Sequence, residues 1–340
     1  MEDTSSIISM HLISPQSQPF AQDHTYPIYR IEYTTGDMYE GQCVNQLREG
    51  NGKTMYKNGD LYDGEYCNNE RNGNGVYHWA DGSYQNGIWK NNLFHGKGEF
   101  YNADTGSTYT GYFEDDEMSG NGYMIYKDGS KYEGEWKNNK RDGLGIVENK
   151  TTIYEGEWKN DKYHGRGFLK WKDGKEYYHG EWQKGKMSGY GVYHYSCGNH
   201  YEGEMIRDEE HGYGTMVYAD ENVGKGTFDC GFIKKGVMYY TNGDIYEGEF
   251  KSDLPHGQGK MEYNLEIATY EGKWKMGKRH GQGVLLAGFD EYDSNGYLLP
   301  PHRYEGMWKN DMFYEPIQQL LHYVSRQIAY NMGQRHLIYR

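Results

Sequence analysis

Five histidines, His95, His164, His211, His256 and His280, each stand directly before a Gly-x-Gly triplet. Imidazoles at a recurring position are what a zinc or copper site draws on. The triplets themselves suggest a backbone cradle for phosphate. Neither chemistry fits. A dinucleotide cradle needs a strand, Gly-x-Gly-x-x-Gly and then a helix, and no Gly-x-x-x-x-Gly-Lys-Ser/Thr occurs. If each histidine belongs to its own stacked unit, equivalent side chains lie ~10 Å apart, too far to share an ion bound at ~2 Å. Cys43, Cys67, Cys197 and Cys230 form no Cys-x-x-Cys pair, which removes the usual disulfide and zinc signatures. No Ser/His/Asp set or carboxylate pair stands out. No enzyme, cofactor or metal is expected.

The elements that carry these triplets repeat. Tyr-x-Gly-x-aromatic, six spacers and Gly-x-Gly recur, as in Tyr132-Glu133-Gly134-Glu135-Trp136 … Gly143-Leu144-Gly145 and Tyr154-Glu155-Gly156-Glu157-Trp158 … Gly165-Arg166-Gly167. Position one falls at Tyr39, Tyr62, Gln85, Tyr109, Tyr132, Tyr154, Tyr178, Tyr201, Tyr246 and Tyr270, at intervals of 22 to 24 except one of 45. Position three is Gly41, Gly64, Gly111, Gly134, Gly156, Gly180, Gly203, Gly248 and Gly272. Trp89, Trp136, Trp158, Trp182 and Trp274 hold position five. The long interval hides a degenerate copy, read as Asp229-Cys230-Gly231-Phe232-Ile233 within 229–243. A half-copy, Tyr304-Glu305-Gly306-Met307-Trp308, follows an insertion over 284–303.

Positions one, three and five alternate with polar residues, the period of a half-buried strand. Segments after the triplet, such as Gly122-Tyr123-Met124-Ile125-Tyr126, alternate too. Asn138-Asn139 and Lys127-Asp128-Gly129 supply hairpin turns. Each unit is therefore a β-hairpin, and the fold is all-β: an antiparallel meander of about eleven hairpins, roughly 110 Å long at ~4.8 Å per strand. A bare glycine between two aromatics lets a ring lie flat across the backbone. These repeat residues are structural, and their burial is shared between neighbours, because one hairpin cannot offset the entropy of ordering itself.

Of the 340 residues, 16% are aromatic and 37 are tyrosine, so the interior is built from rings despite a mean hydropathy of −1.04. Net charge is −14. Glu133, Glu135, Glu155, Glu157, Glu202, Glu204, Glu247 and Glu249 recur on the face opposite the aromatics. That acidity argues against nucleic acid. It is either a solvated face or a docking strip for a basic partner. No apolar run reaches membrane-spanning length and no secretory core follows Met1, so a reducing cytosol is expected.

Residues 1–26 read as a flexible tail and 27–313 as the repeat rod. Over 314–340, Ile317, Leu320, Leu321, Val324 and Ile328 follow Pro316 at helical spacing. This amphipathic helix caps the last edge strand or docks a partner.

Tyr-x-Gly-x-Trp-x(6)-Gly-x-Gly at intervals of about 23 residues resembles the MORN-repeat family over residues 39–308. The resemblance implies a rod of hairpins. Chains that are almost all repeat are similar to radial-spoke head and related axonemal proteins, or to cytoskeletal basal-complex scaffolds. It therefore implies a structural scaffold of a cytoskeletal assembly, a ciliary or flagellar axoneme foremost. Its partners would be other protein subunits of a large complex, a second MORN protein or copy of itself included. The alternative is a phosphoinositide-binding, membrane-apposed or cortical module, for which Lys137, Lys140, Arg141, Lys159, Lys162 and Arg166 supply turn cations. These alternate with carboxylates, and a chain of −14 is repelled by anionic lipid.

Overall fold

The computed structural model describes residues 6–13, 26–288 and 302–314. Among them the chain forms 26 strands and no helix. It divides into two compact units, Met1–Asp173 with Gln183–Gly185, and Gly174–Trp182 with Lys186–Arg340. In the first, consecutive strands pair antiparallel from Ile7–Ile13 to Lys162–Trp171. In the second the same holds from Lys186–His194 to Met312–Tyr314.

The hairpin of Lys131–Lys137 and Lys140–Glu148 shows why the motif folds this way. Tyr132, Gly134 and Trp136 share the inner face, while Lys131, Glu133, Glu135 and Lys137 point outward. Asn138 and Asn139 turn the chain at φ of 50° and 63°. Two left-handed residues make the hairpin turn whose twist matches the strands, and Asn tolerates that region. Register then shifts between Gly134 and Trp136, so that Glu135 faces a bulge of Asp142, Gly143 and Leu144 on the partner strand. Its carbonyl accepts the Tyr132 hydroxyl at 3.0 Å, and its carboxylate accepts the Leu144 amide at 2.8 Å. The glutamate at this position is thus a staple across the bulge, as Glu157 is for the Arg166 amide at 2.9 Å. Gly143, at φ +110°, supplies the backbone the staple needs.

Polar bonds also join successive repeats along both rims. On one, turn side chains accept amides about twenty residues earlier, as Asn139 does from Met118 (2.8 Å) and Asp208 from Met187 (2.9 Å). On the other, Asp60 accepts from Ala80 (2.9 Å) and Asp244 from Asn264 (2.8 Å).

Three boundaries differ from expectation. The flexible tail over 1–26 does not hold throughout: Ile7–Ile13 is a strand on Ile28–Tyr33, with Met10 opposite the fully buried Ile31. The degenerate copy begins at Gly224, not Asp229. Met216 pairs with Gly224, Gly214 with Gly226 and Gly212 with Phe228, which splits the interval of 45 into 23 and 22. Cys230-Gly231 is its turn, and Asp229 closes the strand opposite Phe232. The insertion starts after Ala287, because 284–287 continue a ladder that closes with Ala287 opposite His302. The expected helix with Ile317, Leu320, Leu321, Val324 and Ile328 lies outside the described residues.

Candidate interaction face

On the inner face each repeat tyrosine lies over a pair of glycines. Tyr39, Tyr62, Tyr109, Tyr132, Tyr154, Tyr178, Tyr201, Tyr246 and Tyr270 are all fully buried. Tyr132 covers Gly134 and, across the ladder, Gly145, so the ring belongs to the same strand as the first glycine and spans to the second. A Cβ on Gly145 would lie 2.6 Å from its Cζ. The second glycine of Gly-x-Gly is therefore a ring platform rather than a turn residue. Edge-on aromatics flank most rings: Tyr132 meets Trp136 and Trp158, both at 5.2 Å, and Tyr270 meets Trp274 at 5.1 Å and Trp308 at 5.3 Å. Indole nitrogens tie back to the preceding repeat, Trp89 to the Gly75 carbonyl (3.0 Å), Trp158 to Gly145 (3.1 Å) and Trp274 to Gly259 (3.0 Å). Burial pushes the Tyr109 phenol up to about 12 and Tyr132 well above the ordinary range.

In four copies an arginine nine residues after the tyrosine, Arg48, Arg71, Arg141 or Arg279, closes the stack. Arg71 lies 4.4 Å over Trp89, Arg141 4.2 Å over Trp158 and Arg279 4.6 Å over Trp308. Arg141 is therefore not a free surface cation, and Lys159 pairs with Asp142 at 3.2 Å. That same position supplies the substitute where the tyrosine fails. Gln85 has no ring, and Phe94, fully buried, lies against Gly87 and Gly98. Gly224 has none either, and Ile233, also fully buried, approaches that site with Met238 and Tyr218. Tyr304, expected as a buried repeat tyrosine, is 44% exposed, and Phe313 covers Gly306 in its place. The described partner strand Met312–Tyr314 is three residues long and provides no opposite glycine to complete the tyrosine's platform.

The outer face follows from the same register. Gly41, Gly52, Gly64, Gly75, Gly87, Gly98, Gly111, Gly122, Gly134, Gly145, Gly156 and Gly167 pair in succession across the first unit. Rings cover this row on the inner face; on the outer face, to which no side chain at these positions would point, its backbone lies between two rows of flanking side chains. There, Gly87 to Gly134 floor a groove of about 700 Å³. Lys97, Tyr112 and Asn121 line one wall, and Glu99, Tyr123 and Glu133 the other. Beyond it Leu144 is 62% exposed. The second unit carries an equivalent row, Gly191, Gly203, Gly214, Gly226, Gly236, Gly248, Gly259, Gly272, Gly283 and Gly306, with Tyr190 and Tyr213 exposed beside it. The single-copy motif does not reveal this groove, because its walls come from residues of different strands.

The recurrent histidines stay separate. His95 Nδ1 lies 3.5 Å from Asp115, His211 Nδ1 lies 3.6 Å from Asp229, and His256 Nδ1 accepts the Met276 amide at 3.3 Å. Among the described residues no three His, Cys, Asp or Glu side chains converge as metal ligands. The four cysteines are free, and burial pushes the Cys43 thiol up to about 11.

No curated protein matches the chain. Among solved structures, it is similar to the TCP10 domain of Danio rerio CPAP in complex with a STIL peptide, at 11% identity and TM-score 0.28, over 81% of this chain and 93% of that one. It is also similar to the SAS-4 (dCPAP) TCP domain of Drosophila melanogaster with a proline-rich motif of Ana2, at 12% identity and TM-score 0.21, over 63% and 99%. The MORN repeat model matches residues 39–61, 62–84, 86–107, 109–131, 132–147, 154–176, 178–199, 201–223, 246–264, 270–286 and 304–313. With its tyrosines seated over paired glycines along most of that length, the chain belongs to the MORN-repeat family.

Proposed function

We propose that this chain is a non-catalytic scaffold whose outer, glycine-floored face receives segments of other proteins. We further propose that the assembly it organises is cytoskeletal, a ciliary or flagellar axoneme with its radial spoke or a similar complex. MORN repeats make it a repeat-based interaction scaffold. One observation carries the docking reading: the inner rings are consumed by packing, whereas the outer face keeps Tyr112, Leu144, Tyr190 and Tyr213 exposed beside bare backbone. Exposed aromatic and apolar groups beside a concave floor are what protein partners bury. The axonemal assignment is supported by the resemblance of repeat-rich chains to radial-spoke head proteins.

A tagged copy expressed in a ciliated cell tests the assignment. It should remain with detergent-extracted axonemes. Retention in the cell body while axonemes assemble normally would exclude it. Sedimentation with anionic vesicles separates the membrane-apposed alternative: salt-sensitive binding would favour that reading, and none is expected from a face bearing Glu99 and Glu133.

A further inference from the structure

One flank of the glycine row has an order that the repeat motif does not dictate. Following the register across five strands, Tyr123 stands beside Glu133, Glu133 beside Ile146, Ile146 beside Glu155 and Glu155 beside Phe168. Ile146 and Phe168 are among the exposed large apolar residues. Among the described residues, the carboxylates of Glu133 and Glu155 have no hydrogen-bond or ion-pair partner. Elsewhere carboxylates of this flank have partners, as Glu99 has in the Tyr84 hydroxyl at 2.6 Å. Glu40 pairs with Arg30 at 2.7 Å and Asp63 with Lys53 at 3.3 Å. In the second unit Lys260 stands between Glu247 and Glu271. The stretch Tyr123–Phe168 is therefore an acidic stripe alternating with apolar side chains and left without a counter-charge.

Its period selects a partner conformation. Glu133 and Glu155 are two strands apart, ~9.6 Å at ordinary strand spacing. A β-strand laid across them repeats its facing side chains at ~6.7 Å and falls out of step. A polyproline-II segment repeats every third residue, ~9.3 Å, and stays in step. Such a segment is already extended, so binding it costs little ordering entropy.

We propose that this stripe docks a basic polyproline-II segment of a partner protein, with one Lys or Arg per turn reaching Glu133 and Glu155 and proline or apolar residues lying on Tyr123, Ile146 and Phe168. The proposal rests on the outer face being the docking face, and names what docks there.

The test is fluorescence anisotropy of labelled (Pro-Pro-Arg)4 against the full chain, with an isomer of the same composition whose arginines are contiguous. The repeating peptide should bind more tightly than the isomer, and salt should weaken it. Glu133→Gln and Glu155→Gln should each weaken binding about three-fold, and the pair about ten-fold. Glu247→Gln with Glu271→Gln should change nothing. All four side chains lie on the outer face, and unchanged circular dichroism confirms the fold. Equal affinity for the double variant, or for the isomer, overturns the proposal. A change in oligomeric state of Glu133→Gln/Glu155→Gln would assign the stripe to a second copy of this chain and overturn it too. Failure of every peptide to bind overturns it as well. In that case Leu144→Arg, scored for release from the native complex, decides whether the docking reading survives: release keeps it, and intact assembly removes both.

Discussion

Gly145→Ala tests the ring-over-glycine architecture without disturbing anything else. Gly145 does not use left-handed backbone, so alanine carries no conformational penalty there. The whole cost is steric. The added methyl would sit 2.6 Å from Cζ and 2.7 Å from Cε2 of Tyr132. Ordinary carbon contacts are ~3.5–4.0 Å, so the ring must retreat by ~1 Å. It has nowhere to go, with Trp136 and Trp158 each at 5.2 Å edge-on and Arg141 5.5 Å over its face. Overpacking of this kind costs ~1–3 kcal/mol. Pulling the hydroxyl off the Glu135 carbonyl adds ~1 kcal/mol. The expected total is about 3 kcal/mol. Repeat arrays need not unfold in one step, so the assay is local: hydrogen exchange in Lys131–Lys137 and Lys140–Glu148. Exchange there should accelerate by about two orders of magnitude. In a Tyr132→Ala background the same substitution should cost under ~1 kcal/mol, because nothing is left to clash. Gly129→Ala is the contrast. Its φ is +86° with nothing within 4 Å, so it should cost ~1 kcal/mol whatever stands at 132. A Gly145→Ala effect below ~0.5 kcal/mol, or one indifferent to Tyr132, would refute the reasoning.

Three further outcomes follow from the substituted copies and the buried phenols. Gln85→Tyr should destabilise by ~1–3 kcal/mol because Phe94 already occupies the ring site, and Gln85→Tyr with Phe94→Arg should recover most of that in denaturant titration. Phe313→Ala should accelerate exchange in His302–Lys309 by at least ten-fold, whereas Tyr304→Ala, unlike every other repeat tyrosine, should leave it nearly unchanged. Alkaline titration at 295 nm should show two classes of tyrosine. Tyr109 and Tyr270 are raised by burial to about 12, so their stabilising contribution is complete below the unfolded value of ~10 and is lost as pH rises toward 12. Full ionisation by pH 11 with the circular dichroism intact would contradict that burial.

Period-two alternation was enough to place Tyr132, Gly134 and Trp136 on one face, because a strand offers those residues no other arrangement. It missed Gly224 for a physical reason: the tyrosine that announces position one is absent, while Asp229 to Ile233 mimics the spacing by chance. It treated Glu135 and Glu157 as part of one acidic column, although a bulge turns their carboxylates onto the Leu144 and Arg166 amides. Bulges depend on pairing, which a single strand's pattern does not encode. Tyr304 carries the Tyr-x-Gly-x-Trp half of the motif and still swings out, since its platform needs a glycine on a partner strand. The outer groove was least legible. Each glycine is local, but the groove's walls form only when successive strands pair in register.

Leu144→Arg with Tyr112→Arg removes the outer docking face while sparing the core. Both side chains lie on the outer face, at 62% and 46% exposure, away from the buried rings. The tagged variant is expressed in ciliated cells, and axonemal extract is fractionated by sedimentation. If partners dock on that face, the protein keeps its thermal transition and no longer travels with its complex. A variant that folds and co-sediments as the wild type does would contradict docking there.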